Sequence, residues 1–242
     1  MILNADNLSF SYGEHQVLNQ LCIQVEAGES VGIIGCNGAG KSTLLKLFCG
    51  IEAGYQGSLE LFGMQAAQRN MTAIRKNLGY VFQDSDSQLF MTTVYEDVAF
   101  APQNYGYDRE EVHRRTMDAL KKVHMEDCAE RQVYRLSGGQ KKLAAIATVL
   151  SMEPELLLMD EPSAALDPQN RRNLIGVINE LQYSKVIASH DLDFIYDTCE
   201  RTVLLADGRI VADGSSREIL TNRELLEEYG LELPLSFSRI AR

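Results

Sequence analysis

No stretch of this 242-residue chain approaches the roughly 18 consecutive apolar residues that a helix needs to cross a bilayer. The N-terminus, Met1-Ile2-Leu3-Asn4-Ala5-Asp6, has no basic region ahead of an apolar one, so no signal peptide is expected. The five cysteines, at 22, 36, 49, 128 and 199, form no Cys-x-x-Cys pair and are odd in number. They read as reduced thiols of a cytosolic protein. The four histidines, at 15, 113, 124 and 190, have no ligand spacing, which argues against a histidine-based metal centre. Positive charge is also short: 23 Lys and Arg stand against 34 Asp and Glu, giving a net charge of −11. Such a chain is a poor polyanion binder as a whole, so no nucleic-acid partner is expected. No internal repeat and no low-complexity linker divides the sequence, and its length suits one α/β domain with a small insertion.

What is present is phosphate chemistry. Val31-Gly32-Ile33-Ile34 is a short apolar run, the expected strand. It leads into Gly35-Cys36-Asn37-Gly38-Ala39-Gly40-Lys41-Ser42-Thr43, and a helix is expected from Thr43 to Cys49. That order is the context a phosphate-binding loop requires. Glycines at 35, 38 and 40 let the main chain wrap closely around phosphate, with Asn37 and Ala39 between them. Successive N–H groups make an anion-binding concavity, and the helix adds roughly half a unit of positive charge at its start. Lys41 supplies a cation for the β- and γ-phosphates, and Ser42 a hydroxyl for Mg²⁺.

Leu156-Leu157-Leu158-Met159 reads as a buried strand, with Asp160 and Glu161 at its C-terminal end. Ligands of open α/β sheets bind at that edge. Asp160 fits a Mg²⁺ ligand, and Glu161 a group that positions and polarises an attacking water. Ser137 is a good helix N-cap, and Gly138, Gly139 and Gln140 follow it into a helix running to about 150. That helix start is a second place where main-chain N–H groups and dipole favour anions.

The glycine-rich loop, the segment Leu136-Ser137-Gly138-Gly139-Gln140, the Asp160-Glu161 pair and Ser189-His190-Asp191 occur in the order found in the ATP-binding-cassette (ABC) ATPases. The chain resembles that family over nearly its whole length. The resemblance implies an α/β fold: a P-loop NTPase core with an N-terminal antiparallel β-subdomain and an inserted helical subdomain, about 84–150. Together these make a single domain over 1–242 with a short tail, about 222–242. It also implies ATP and Mg²⁺ as ligands and a head-to-tail dimer, homodimeric or heterodimeric. In such a dimer Ser137, Gly138, Gly139 and Gln140 complete the partner's site, and Asp167 lies at the seam. By the same resemblance His190 contacts the γ-phosphate, Gln83 reaches Mg²⁺ and the water, and Tyr12 stacks on adenine. From the residues alone, His190 reads equally as structural, Gln83 as a polar cap after a strand, and Tyr12 as a core or turn aromatic.

Three positions depart from the family pattern. Cys36 replaces a usual proline, Ala164 a frequent serine, and Lys141-Lys142-Leu143 a more arginine-rich run. None removes a group the chemistry needs. Residues 83–90 and 93–102 resemble the energy-coupling-factor branch, including cobalt and nickel importers, although many branch members have a longer C-terminal extension. The resemblance thus implies an ATP-hydrolysing importer subunit, peripheral on the cytoplasmic face of the cell membrane and docked on transmembrane subunits. Cobalt or nickel is the first expected cargo and a vitamin the second. A translation or DNA-repair ATPase is the alternative. The chain holds one cassette, and about 95 residues without sustained heptads separate Lys41 from Ser137, which speaks against both.

Overall fold

The computed structural model describes residues 1–238 and places two sheets against each other. Strands β1 (Leu3–Tyr12) and β2 (His15–Val25) form an antiparallel pair, and β4 (Gln56–Leu61) and β5 (Met64–Gln65) extend it in the order β2-β1-β4-β5. The second sheet contains β3 (Ser30–Ile34), β6 (Leu78–Val81), β7 (Leu156–Asp160), β8 (Ser184–Ala188), β9 (Arg201–Ala206) and β10 (Arg209–Ser215). Its order is β10-β9-β3-β8-β7-β6, parallel except for the β9–β10 hairpin. An α/β P-loop core with an antiparallel sheet beside it is the fold that the motifs imply.

The parallel strands carry apolar runs, such as Leu156 to Met159 of β7 and Val186 to Ala188 of β8, because both faces are covered. Successive side chains point to opposite faces, so each strand feeds two cores. Leu156 and Leu158 of β7 join Val186 of β8, Ile33 of β3 and Phe48 on the side of the antiparallel sheet. Leu157 and Met159 join Ile187, Ile146 and Phe194 on the other side. Helix α1 (Lys41–Phe48) starts at Gly40, whose φ of +103° is left-handed. A Cβ there would lie 2.8 Å from Leu18 Cδ2, so both space and backbone require glycine.

Between β6 and β7 lie α3 (Val94–Asn104), α4 (Arg109–Lys122) and α5 (Gly138–Leu150), preceded by the short α2 (Met71–Lys76). Each of the three longer helices has a side-chain N-cap: Thr93, Asp108 and Ser137. Thr93 Oγ1 accepts the Glu96 N–H at 3.3 Å, and Glu96 Oε2 accepts the Thr93 N–H at 2.9 Å. This reciprocal pair satisfies two helix-end donors. Thr93→Ala is expected to cost about 1 kcal/mol, read as a shifted urea midpoint with unchanged slope.

After β7 come α6 (Pro168–Glu180) and α7 (Leu192–Thr198), and after β10 come α8 (Ser216–Thr221), α9 (Arg223–Glu228) and α10 (Leu235–Ser238). The tail crosses the molecule. The Cys36 thiol donates to the Tyr229 carbonyl at 3.2 Å, Asp193 accepts the N–H groups of Leu235 and Ser236, and Phe237 packs edge-on against Tyr196. The last four residues of the expected tail lie outside the described residues.

Several boundaries differ from the sequence reading. Residues 20–26 alternate apolar and polar positions as a strand should, but β2 begins earlier, at His15, where register shifts along β1 and β2 interrupt that alternation. The hairpin β4–β5 and helix α2 carried no periodic signal long enough to be read.

Candidate functional site

A cleft of about 480 Å³ opens at the C-terminal edge of the parallel strands, where β3 gives way to α1. It is lined by residues 37–43, Gln83, Glu161, His190 and Val17. Sequence positions from Val17 to His190 thus converge on one hollow. Gly38, at φ +83°, has open space where a Cβ would stand, so the main chain itself faces the cleft. Gly35 lies deeper, where a Cβ would strike the Leu205 carbonyl.

Lys41 is 7% exposed, and its ammonium donates to the carbonyls of Gly35 at 2.7 Å and Cys36 at 3.2 Å. Burial lowers its pKa, while the charges of Glu161 and Asp160 oppose that shift. Ser42 Oγ donates to Asp160 Oδ1 at 2.9 Å, and the Tyr80 hydroxyl donates to Asp160 Oδ2 at 3.4 Å. Burial raises the Asp160 pKa, and the Ser42 hydrogen bond works against it. A hydroxyl and a carboxylate in contact are the hard oxygen donors that Mg²⁺ takes when substrate phosphates supply the rest. Among the described residues, no group of three or more His, Cys, Asp or Glu is placed to hold a metal by protein ligands alone. The donor set therefore fits a Mg²⁺ that arrives with a nucleotide.

Glu161 is 6% exposed and has an unusual φ of +46°. Its Oε2 accepts from Ser189 Oγ at 3.0 Å and meets His190 Nδ1 at 2.8 Å, and the His190 N–H reaches both carboxylate oxygens at 3.1 Å. A carboxylate only accepts, so Nδ1 carries the proton and Nε2 is left as the ring atom not engaged by Glu161. The carboxylate is oriented from two sides by the turn that follows β8.

Ser137, Gly138, Gly139 and Gln140 are elsewhere, at the N-terminus of α5, and none of them lines the cleft. Ser137 and Gln140 cap each other, through Gln140 N–H to Ser137 Oγ at 3.3 Å and Ser137 N–H to Gln140 Oε1 at 3.0 Å. Gly138 has open space where a Cβ would stand, and a Cβ on Gly139 would strike Asn170. Asp167 caps α6 by accepting from Gln169 and Asn170 at 2.9 Å, next to that same Asn170. Tyr12 also lies outside the lining. It is 44% exposed, its hydroxyl donates to Glu52 at 3.0 Å, and it meets the side chain of Thr43, which does line the cleft.

The sequence reading missed four residues here. Val17 reaches the cleft from β2 and Tyr80 reaches Asp160 from β6, both through strand packing that no local pattern announces. Ser189 stood next to His190 and was legible as a possible support. Lys142 Nζ donates to the main-chain carbonyls of Phe82 and Gln83, a contact 59 residues apart in sequence.

A glycine-rich phosphate cradle ahead of a helix, with a serine–aspartate pair and a braced glutamate at its rim, defines a nucleoside-triphosphatase of the phosphate-loop class. The ABC transporter family model matches residues 18–164, and the chain belongs to that family. It is therefore an ATPase that binds ATP. It is 42% identical to the energy-coupling factor transporter ATP-binding protein EcfA of Carboxydothermus hydrogenoformans, covering 97% of this chain and 88% of that one. It is 40% identical to the EcfA protein of Methanosphaera stadtmanae, over 96% and 86% respectively. Among solved structures it is similar to cbiO1 of Clostridium perfringens, part of the ABC transporter complex cbiONQ, with a TM-score of 0.86 and 32% identity. That match covers 100% of this chain and 99% of the other. A dimeric bacterial ABC transporter cassette matches with a TM-score of 0.79 at 27% identity, over 89% and 99%. The chain is thus an ABC transporter ATPase of the energy-coupling-factor and cbiO type.

Proposed function

We propose that this chain works as the ATP-hydrolysing half of an importer, in which two ATPase chains, identical or paralogous, close head to tail around two ATP molecules. The observation that carries this reading is the separation of two anion-binding features. The cleft holds everything needed at one end of a triphosphate, and a second capped helix N-terminus, Ser137–Gln140, stands apart from it with open space at Gly138.

In the cleft, the N–H groups of residues 37–43 and the Lys41 ammonium bind the β- and γ-phosphates, with Gly35 setting the turn that precedes them. Ser42, Asp160 and Gln83 would hold Mg²⁺, which supplies charge neutralisation at the phosphate oxygens when bound. Glu161 accepts a hydrogen bond from the attacking water and takes its proton as the new O–P bond forms and the bond to ADP breaks. His190, fixed by Glu161 through Nδ1, contacts the γ-phosphate. Ser137, Gly138, Gly139 and Gln140 of the partner cap the same phosphate from the far side, and Asp167 lies at the seam. ATP bridges the two chains until hydrolysis removes the bridge, which turns binding energy into closure and reopening.

No helix among the described residues is long and apolar enough to cross a membrane. In this reading the transmembrane path belongs to other subunits, on which this chain sits at the cytoplasmic face. Phe90 and Phe100, both exposed and packed edge to face with ring centroids 4.8 Å apart, lie in the 83–102 segment proposed to dock there. Cobalt or nickel is the cargo this reading favours, on the resemblance of that segment and the likeness to cbiO1. Purifying the tagged chain from its source membrane tests it. Transmembrane subunits should co-purify, and a strain lacking the chain should lose ATP-dependent uptake of radiolabelled cobalt or nickel. Unchanged uptake of both would remove the metal assignment, and recovery of ribosomes or DNA in place of membrane subunits would remove the transport reading.

Tyr12 gives a smaller test. Its exposed ring beside Thr43 suits stacking on adenine, while its hydroxyl is occupied by Glu52. Tyr12→Ala should weaken ATP binding roughly five- to hundred-fold, on the scale of base–aromatic stacking, whereas Tyr12→Phe should stay within about twofold. Titration with a fluorescent ATP analogue reads both. Equal affinity for the alanine variant returns Tyr12 to a purely structural role.

A further inference from the structure

We infer that Lys142 is a positioning residue for ATP hydrolysis, holding Gln83 at its own cleft from the same helix that offers Ser137–Gln140 to the partner. The inference rests on the reading of Gln83 as a group of the hydrolytic site.

Lys142 lies in the second turn of α5 and is 3% exposed. Burying an ammonium is costly unless it is fully engaged. This one donates to the Gln83 carbonyl at 2.7 Å and the Phe82 carbonyl at 3.1 Å, and burial pushes its pKa down to about 8 against the opposing pull of the Asp84 and Asp160 carboxylates. An apolar side chain of similar length would fill the space without the desolvation cost. What the ammonium adds is a grip on two carbonyls just past the end of β6.

A second residue grips the same stretch from the opposite side. Gln88 Oε1 accepts the Phe82 N–H at 3.0 Å, while Gln88 Nε2 donates to the Ala145 carbonyl at 2.7 Å and Thr148 Oγ1 at 2.8 Å, both on α5. Phe82 is thereby tied to α5 through its N–H and its C=O alike. Lys141 adds an ion pair to Asp86 at 2.6 Å, on the outside, where such pairs contribute little. The outcome is mechanical. A shift of the Gln83 main chain toward a γ-phosphate in its own site pulls on α5, and α5 begins with the segment that meets the other nucleotide.

The test is a double-mutant cycle on the purified full chain, read as steady-state phosphate release and as ATP affinity measured without Mg²⁺. Gln83→Ala and Lys142→Met should each lower kcat about tenfold, with ATP affinity within about twofold of wild type. The double variant should be no slower than the slower single variant, because Lys142 acts through Gln83. A lysine that only supported the fold would give losses that multiply. Multiplying losses, or a Lys142→Met chain at the wild-type rate, overturn the inference while leaving Gln83 in place. A Gln83→Ala chain at the wild-type rate overturns the reading of Gln83 and the inference with it. If the methionine variant gives no cooperative melt, Lys142→Gln carries the same cycle. Its shorter stem reaches one carbonyl at most, so a roughly two- to fivefold loss that vanishes beside Gln83→Ala is expected, and a loss that persists there overturns the inference.

Discussion

Replacing Glu161 with glutamine should cut ATP turnover by at least about a hundredfold while leaving ATP binding intact. General-base assistance is worth roughly 10² to 10⁴ in rate, and an amide oxygen is far too weak a base to replace a carboxylate. The substitution preserves volume at a side chain that is 6% exposed, so packing survives. It also keeps an oxygen that can accept from Ser189 Oγ or the His190 N–H, both of which bond Glu161 in the wild type. The phosphate loop is untouched. With Mg-ATP the variant should accumulate as a long-lived dimer, visible by size-exclusion chromatography, because the bridge forms and is not cut. Phosphate release at the wild-type rate would sink the assignment of Glu161.

Ser137→Arg should abolish hydrolysis in a dimer of identical chains and still allow ATP to bind at Lys41. Ser137 is outside its own cleft and its hydroxyl is used in capping α5, so the variant loses a cap worth about 1 kcal/mol of stability but no group of its own phosphate loop. A guanidinium projecting from that position would block the seam. Mixing this chain with Lys41→Ala sharpens the experiment. In a head-to-tail heterodimer one composite site pairs the good phosphate loop of the arginine chain with the intact Ser137–Gln140 of the other, and the second site carries both lesions. ATP occlusion should return at about one nucleotide per dimer. If the arginine chain alone hydrolyses ATP normally, Ser137 completes no partner's site and head-to-tail closure must be given up.

Motifs whose chemistry is local were legible before any coordinates. The strand, glycine loop and helix around Lys41 follow from spacing alone, as does the apolar strand that ends in Asp160. The two-faced burial of β7 was readable as the unbroken apolar run Leu156 to Met159, whereas β8 begins with Ser184 and Lys185 and hides its burial. Contacts made by groups without a motif were not. Lys142 looked like any lysine on a helix, and only the three-dimensional crossing of α5 over the end of β6 puts its ammonium on two carbonyls. Likewise nothing near Cys36 hints that Tyr229 will lie beside it. The alternation of residues 2–10 and 20–26 marks the β1–β2 pair, but the first residues of β2 were hidden, because Gln20 takes a left-handed backbone conformation that breaks the alternation.

Lys41 points to how the cleft discriminates among ligands. Its ammonium is satisfied by the Gly35 and Cys36 carbonyls, inside a loop whose shape is set by its glycines. Recruiting that cation is therefore an exchange of partners rather than the assembly of a site. A ligand with a terminal anionic oxygen offers a stronger, charge-assisted bond than the carbonyls it displaces. A nucleoside, or a nucleotide too short to reach the lysine, offers nothing in return and leaves the ammonium where it was. Selection for a nucleotide that reaches the lysine with a β- or γ-phosphate is thus exercised by the carbonyls that hold it.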